Sequence, residues 1–193
     1  MTSPPPPPSA RERIFQAAFA CVARYGIAKT TVEDVAREAR VSRATVYRYF
    51  SGKDDLIRQT IAWETARFFT SLADTVAGIE DLGPLLEEAL FFAHRELEQH
   101  AVLQKVLQTE PELLLPELST EAERLITLVR AFLMPWLDRV ALAPGVERER
   151  AAEHVARLFL SCLGSPGSWD LADRAEVRAL VQSQILAGVT EDN

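Results

Sequence analysis

Residues 29–56 read KTTVEDVAREARVSRATVYRYFSGKDDL, and this run decides the fold because it spells two short helices joined by a tight turn. Val32, Val35, Ala36 and Ala39 recur at helical spacing, Val41 fills the turn, and Val46 and Phe50 continue the apolar pattern on the second helix. One small core therefore serves both helices. Thr30 followed by Glu33 makes a capping box that predicts the start of the first, and Ser42 caps the second. The outward face of the second helix carries Arg43, Ala44, Thr45, Tyr47, Arg48 and Tyr49, hydrogen-bond donors and small residues with no acid among them. Such a face suits the major groove of DNA. Ser51-Gly52-Lys53-Asp54 is again a cap followed by an acid, and it puts Lys53 in the first turn of the next helix. Backbone amides and an ammonium group there make a phosphate clamp.

These residues resemble the DNA-binding domain of the TetR-type repressor family, whose tyrosine, aromatic, lysine and leucine spacing is matched by Tyr47, Phe50, Lys53 and Leu56. The resemblance extends over roughly residues 10–57. It implies that Thr31, Thr45, Tyr47, Tyr49 and Lys53 hold phosphates, while Ser42, Arg43, Ala44 and Arg48 face or lie near base edges. One departure is Arg40, which stands in the turn where the family usually has glycine. A left-handed backbone there costs a non-glycine residue about 1 kcal/mol, so the expected turn is slightly strained but intact.

Charge supports a nucleic-acid partner independently of the motif. Residues 1–53 hold Arg11, Arg13, Arg24, Lys29, Arg37, Arg40, Arg43, Arg48 and Lys53 against Glu12, Glu33, Asp34 and Glu38, a balance of +5, so with a chain total of −7 the remainder carries −12. A basic end on an acidic body confines the attraction for DNA to one place.

The 193 residues, 48% of them apolar, suffice for two compact domains. The expected organisation is a proline-rich disordered arm over 1–8, a helix-turn-helix domain over 9–53, and a ligand-binding and dimerisation domain over 54–193. The fold class expected is all-α, with nine helices. Ser9 and Glu12 make a capping box, and Ile14, Ala18, Cys21, Val22 and Tyr25 trace one face of a first helix that ends at Gly26. Beyond Leu56, helices of about 53–76, 82–99, 101–108, 118–140, 147–163 and 172–188 are bounded by Gly78, Gly83-Pro84, Pro111, Pro116, Pro144-Gly145 and the Gly164–Gly167 stretch. No run of about 18 apolar residues lacks charge and no signal-peptide pattern opens the chain, so a cytoplasmic protein without a membrane span is expected. Cys21 and Cys162, each on an apolar helix face, read as buried thiols rather than as a disulfide or metal site.

The segment 118–140 sets Leu125, Leu128, Val129, Phe132, Leu133, Trp136, Leu137 and Val140 on one wide stripe, with Pro135 inside it predicting a bend near Ala131. Trp63, Phe68 and Phe69, Phe91 and Phe92, and Leu103, Val106 and Leu107 supply facing material. Stripes of this kind are ordinarily core. The family resemblance, however, implies a cavity among these helices, mostly apolar with a few polar anchors. The pocket residues nominated are Trp63, Phe68, Phe92, His94, Leu103, Leu107, Phe132 and Trp136, for a lipophilic small-molecule effector. Arg95, Glu96 and Gln99 flank His94 as further polar candidates, while Glu110, Glu112, Glu117, Glu121 and Glu123 read as a hydrated acidic loop around Pro111 and Pro116.

The last two long helices present Val155, Leu158, Phe159 and Cys162, then Val177, Leu180, Val181, Gln184 and Ile185. Either they complete the core of one chain, or they pair with their twofold mates in a four-helix bundle, which resembles the family's homodimer interface. A twofold dimer reads two half-sites about one DNA turn apart, hence a palindromic operator. The function expected is a repressor released by its effector. Two alternatives are a DNA-binding protein without an effector and an all-helical enzyme. His94, His100 and His154 form no metal-ligand spacing, and no glycine-rich phosphate loop or serine elbow occurs, so neither a catalytic residue nor a cofactor is expected.

Overall fold

In the computed structural model, which describes residues 8–113 and 122–190, the regular elements are helical apart from an isolated bridge between Leu142 and Thr190. The proline arm, bar Pro8, lies outside the described residues, as do Glu117, Glu121 and the first turn expected of the 118–140 helix. The elements are α1 (Ala10–Tyr25), α2 (Val32–Glu38), α3 (Arg43–Tyr49), α4 (Lys53–Thr75), α5 (Leu82–Gln99), α6 (Ala101–Thr109), a 3₁₀ turn (Pro111–Leu113), α7 (Ala122–Leu137), α8 (Arg148–Gly164) and α9 (Arg174–Leu180). The last continues as a π turn, Val181–Ile185. No helix among the described residues is long and apolar enough to cross a membrane.

Contacts divide the chain into two units, residues 1–69 with 100–114 and residues 70–99 with 115–193. The division differs from the one expected at residue 53. α6 packs against α1, and Trp63 packs against the core of the first three helices, so most of α4 and all of α6 join the first unit.

The first unit is built on Ile14, Phe15, Ala18 and Cys21 of α1, Val35 and Ala36 of α2, Val46 of α3, Phe50 and Leu56, all buried. Phe15 meets Phe50 edge-on at 5.5 Å and stacks with Trp63 at 5.4 Å, arrangements that add to the burial of their surface. Ser9 and Glu12 form the expected capping box, and Gly26 ends α1 with φ 84° and ψ 169°, a region open in practice to glycine alone.

The start of α2 corrects the expectation by one residue. Thr31 is the cap: its hydroxyl accepts from the Asp34 amide and Asp34 answers to the Thr31 amide, both at 3.2 Å. The Thr31 hydroxyl, then Arg37, hold the Asp34 carboxyl below the usual carboxylate range. Thr30 is buried instead, its hydroxyl donating to the Gly26 carbonyl at 2.7 Å. The sequence Thr-Thr-Val-Glu-Asp contains two overlapping capping boxes, and the chain entering from Gly26 leaves only the second hydroxyl at the helix end. At the start of α4 it is Asp55, not Asp54, that takes the Ser51 amide, at 2.9 Å.

α2 ends in a Schellman turn. Val41 N–H reaches the Ala36 carbonyl at 3.0 Å and Arg40 N–H reaches the Arg37 carbonyl at 3.2 Å, with Arg40 at φ 55°. Arg40→Gly is expected to relieve about 1–2 kcal/mol of left-handed strain, offset by about 0.5–1 kcal/mol of extra freedom in the unfolded chain. The melting temperature of the variant should therefore rise slightly; a fall would refute the strain.

In the second unit α5 buries Leu82, Leu85, Leu86, Ala89, Leu90, Phe92 and Ala93 on one face. α7 packs on α8, and α5 packs on α9. The apolar stripe of α7 is narrower than expected: Ile126, Val129, Leu133 and Leu137 are buried, while Leu128 is 46% exposed. Pro135 lies two residues from the end of the helix, so α7 persists through it with only one donor removed. Arg174 forks onto Glu88 at 2.6 and 3.2 Å and lies over the Phe91 ring at 4.0 Å, and Arg178 reaches Glu87 at 3.1 Å. The hydrogen bond from Arg174 holds the Glu88 carboxyl below its usual range.

The residues nominated for the dimer interface divide sharply. Val155, Phe159, Val177, Leu180, Val181 and Ile185 are buried within the single chain, at 7% exposure or less. They complete the monomer core, because α5, α7, α8 and α9 supply one another with the partners that the two-helix reading lacked. Leu158 and Cys162 are half-buried and Gln184 is exposed.

Candidate nucleic-acid interface

α3 is seven residues long and buries only Val46. Ser42 caps it, its hydroxyl accepting from the Thr45 amide at 3.1 Å and lying 2.9 Å from the Thr45 hydroxyl. Anchored by Val46 inside and by Phe50 at its C-terminal end, the helix turns everything else outward. Ser42, Arg43, Ala44, Tyr47, Arg48 and Tyr49 are exposed, and Thr45 is half-buried. Tyr47 is 50% exposed and Tyr49 38%. The Tyr49 ring lies 6.3 Å from that of Phe50, and the hydroxyls of both exposed tyrosines are ready donors to phosphate or base edges.

Two arginines flank these rings. Arg48 lies over the Tyr49 ring at 5.2 Å. Arg43 pairs with Glu33 of α2 at 2.5 Å, both side chains being well exposed. An exposed pair of this kind is weak, so little holds Arg43 to Glu33. The arginine fork fits the two acceptors of a guanine edge.

Thr31 is exposed at the start of α2. Lys53 is half-buried, and its ammonium donates to the Ala28 carbonyl at 2.7 Å. Its first role in the DNA-free chain is thus to hold the loop between α1 and α2, with two further donors left on the ammonium. The nine residues nominated for DNA contact therefore all fall in the first unit, on α3, its two flanking starts, and the cap of α2.

The nominated effector residues are divided between the units. Trp63, Phe68, Leu103 and Leu107 belong to the first; Phe92, His94, Phe132 and Trp136 belong to the second. Trp63 is part of the first unit's core surface, and Leu107 is 46% exposed. Phe132 and Trp136 lie 5.5 Å apart on α7, and the Trp136 indole N–H donates to the Ile79 carbonyl at 2.7 Å. His94 faces Glu98 at 3.6 Å. A groove of about 310 Å³ in the second unit is lined by Gly145, Val146, Arg150, His154, Ala187 and Val189 among others, none of them nominated. Both thiols are pushed up by burial, which disfavours the reactive thiolate.

One residue that sequence reasoning placed in a hydrated loop is buried. The Glu110 carboxylate accepts from the Ile27 and Ala28 amides, each at 2.8 Å, across more than 80 residues of chain. No local pattern signals such a contact, since both amides belong to a loop that nothing near Glu110 in sequence identifies.

Residues 14–60 match the family model described as "Bacterial regulatory proteins, tetR family". The chain is 26% identical over 181 residues to an uncharacterized HTH-type transcriptional regulator, Rv1255c, of Mycobacterium tuberculosis, covering 94% of this chain and 86% of that protein. It is 35% identical over 81 residues to the HTH-type transcriptional regulator BetI 2 of Chromohalobacter salexigens, but there it spans only 37% of the relative's length. Its fold is shared with SmeT, the repressor of the Stenotrophomonas maltophilia multidrug efflux pump SmeDEF, solved as a triclosan complex: TM-score 0.62 at 22% identity, over 95% of this chain and 93% of that one. Residues 14–60 thus carry the helix-turn-helix domain of the tetR family of bacterial regulatory proteins, and the all-helical fold around it is the one that SmeT shares.

Proposed function

We propose that this protein is a DNA-binding transcriptional repressor that reads a palindromic operator as a homodimer and is released by a lipophilic small molecule. The observation that carries the DNA reading is the outward face of α3, where Arg43, Tyr47, Arg48 and Tyr49 are exposed together and no acid stands among them. Arg43 and Arg48 read bases, with Ser42 and Ala44 beside them; Thr31, Thr45, Tyr47, Tyr49 and Lys53 hold phosphates.

Twofold reading requires a second copy. With six of the nine nominated residues used in the monomer core, the outward faces of α8 and of the π turn after α9, bearing Leu158, Cys162 and Gln184, remain to meet it. Light scattering that shows only monomer at micromolar concentration defeats this part. Release rests on the tetR-family match of residues 14–60 and on the triclosan complex of SmeT. An effector that prefers the released state about 100-fold contributes about 2.7 kcal/mol against DNA binding. α4, running from Lys53 to Thr75, is the continuous element that carries the change.

Selection of bound fragments from random DNA identifies the operator. With about six phosphates neutralised per dimer, affinity for the selected duplex should fall with a log-log salt slope of about −5. A slope near zero removes the proposal. Native mass spectrometry of the purified protein reports both dimer mass and any retained effector.

A further inference from the structure

Glu110 is the outstanding feature that DNA recognition leaves unused. It is a buried carboxylate, 9% exposed, at the C-terminal end of α6, and its two oxygens take the successive amides of Ile27 and Ala28. Ile27 is half-buried and Ala28 exposed, and a carboxylate is the strongest acceptor that a side chain offers their amides. The approach is tight: a β-carbon on Gly26 would stand 3.1 Å from a Glu110 oxygen, so the carboxylate would have to give by a few tenths of an ångström. Two carbonyls of that loop are also taken, Gly26 by the Thr30 hydroxyl and Ala28 by the Lys53 ammonium, both at 2.7 Å. Loop 26–30 is thus held from one side by α6 and from the other by the first residue of α4, and it leads directly into the cap of α2 at Thr31. α6 is fastened to α1 at its opposite end as well. His100 caps it, Nδ1 accepting from the Leu103 amide at 3.1 Å, while the imidazole meets Phe19 edge-on at 5.2 Å.

We propose that Glu110 is a positioning residue for DNA recognition: through its two bonds to loop 26–30, α6 sets where α2 and α3 stand and where the Lys53 ammonium is presented. The inference rests on the reading of α3 as the DNA-contacting helix. It predicts an effect of opposite sign to simple electrostatics. Removing a negative charge from a DNA-binding unit should strengthen binding, whereas loss of the latch weakens it.

The test compares full-length wild type with Glu110→Ala, Glu110→Gln and the control Glu112→Ala, which makes the same charge change on an exposed residue. Circular dichroism fixes a temperature at which all are folded. There, Glu110→Ala should bind the duplex selected by the wild type at least tenfold more weakly, with Glu110→Gln in between because it retains one acceptor, and Glu112→Ala no weaker than wild type. By hydrogen exchange, the Ile27 and Ala28 amides of Glu110→Ala should exchange at least tenfold faster, with α2 and α3 less protected and α5 and α8 unchanged. Unaltered affinity in folded Glu110→Ala, or unaltered exchange at Ile27 and Ala28, overturns the proposal. If Glu110→Ala does not fold, Glu110→Gln carries both measurements. A wild type that selects no duplex at all removes the DNA reading, and the exchange measurement still decides whether the latch exists.

Discussion

Replacing Phe50 with alanine is expected to cost about 3–5 kcal/mol, the usual range for emptying a buried aromatic site, and to release α3 from the first unit. The reason is the shortness of that helix. A seven-residue helix is not stable by itself, and α3 has only Val46 inside it and Phe50 at its C-terminal end to attach it to α1 and α2. Phe50 is 2% exposed and its ring meets Phe15 edge-on. Its loss leaves Val46 as the sole buried side chain of the element and uncovers Phe15. Local opening of this kind is confined to the affected cooperative unit. Hydrogen exchange should therefore show α2 and α3 losing protection while α5, α8 and α9 keep theirs. Protection of α3 equal to that of the wild type would falsify the account of how it is held.

Arg43→Ala is expected to weaken binding to the selected operator by about 1–3 kcal/mol per half-site, and about twice that in a twofold complex. The loss should be sequence-dependent, with discrimination relaxed at one base pair of each half-site. Lys53→Ala should behave differently, lowering affinity for all sequences alike and reducing the magnitude of the salt slope by about one for each phosphate contact removed. Glu33→Gln provides the opposite sign. In the DNA-free chain Glu33 holds the Arg43 guanidinium, so removing its charge frees Arg43 and takes one acid from the DNA-facing side. Affinity should rise modestly. Competition binding of the selected duplex and single-base variants distinguishes these outcomes, and uniform weakening by Arg43→Ala would exclude it as a base reader.

The helix-turn-helix was legible because its information is local. Caps at Ser9 and Ser42, the glycine stop at Gly26 and the strained Arg40 are all properties of a few consecutive residues, and each stands in the structure as its sequence reads. The chemistry of the α3 face was legible for the same reason, since a short helix with two inward residues leaves no choice about the others. Where local signals were ambiguous, reading failed by a small step. Thr30 and Thr31 are equivalent caps by composition, and only the burial of Thr30 against Gly26 separates them.

Partners that lie far apart in sequence are not legible in the same way. An apolar stripe says that a helix face is buried, not against what. Val155, Phe159, Val177, Leu180, Val181 and Ile185 satisfy that requirement within one chain, whereas the same stripe invited a second copy. Trp63 and Trp136 likewise find uses that periodicity does not specify, one stacked on Phe15 and the other donating to the Ile79 carbonyl.

By itself, the sequence determined an all-helical chain, the residues that begin and end most of its helices, and a basic, acid-free reading face, because these follow from backbone sterics, capping and the 3.6-residue period. The tertiary structure alone decided which Thr caps α2, which apolar faces close the monomer, and that a carboxylate from residue 110 holds the loop at residues 27 and 28. Those outcomes depend on which distant groups the fold brings within 3 Å, and nothing in a local pattern carries that distance.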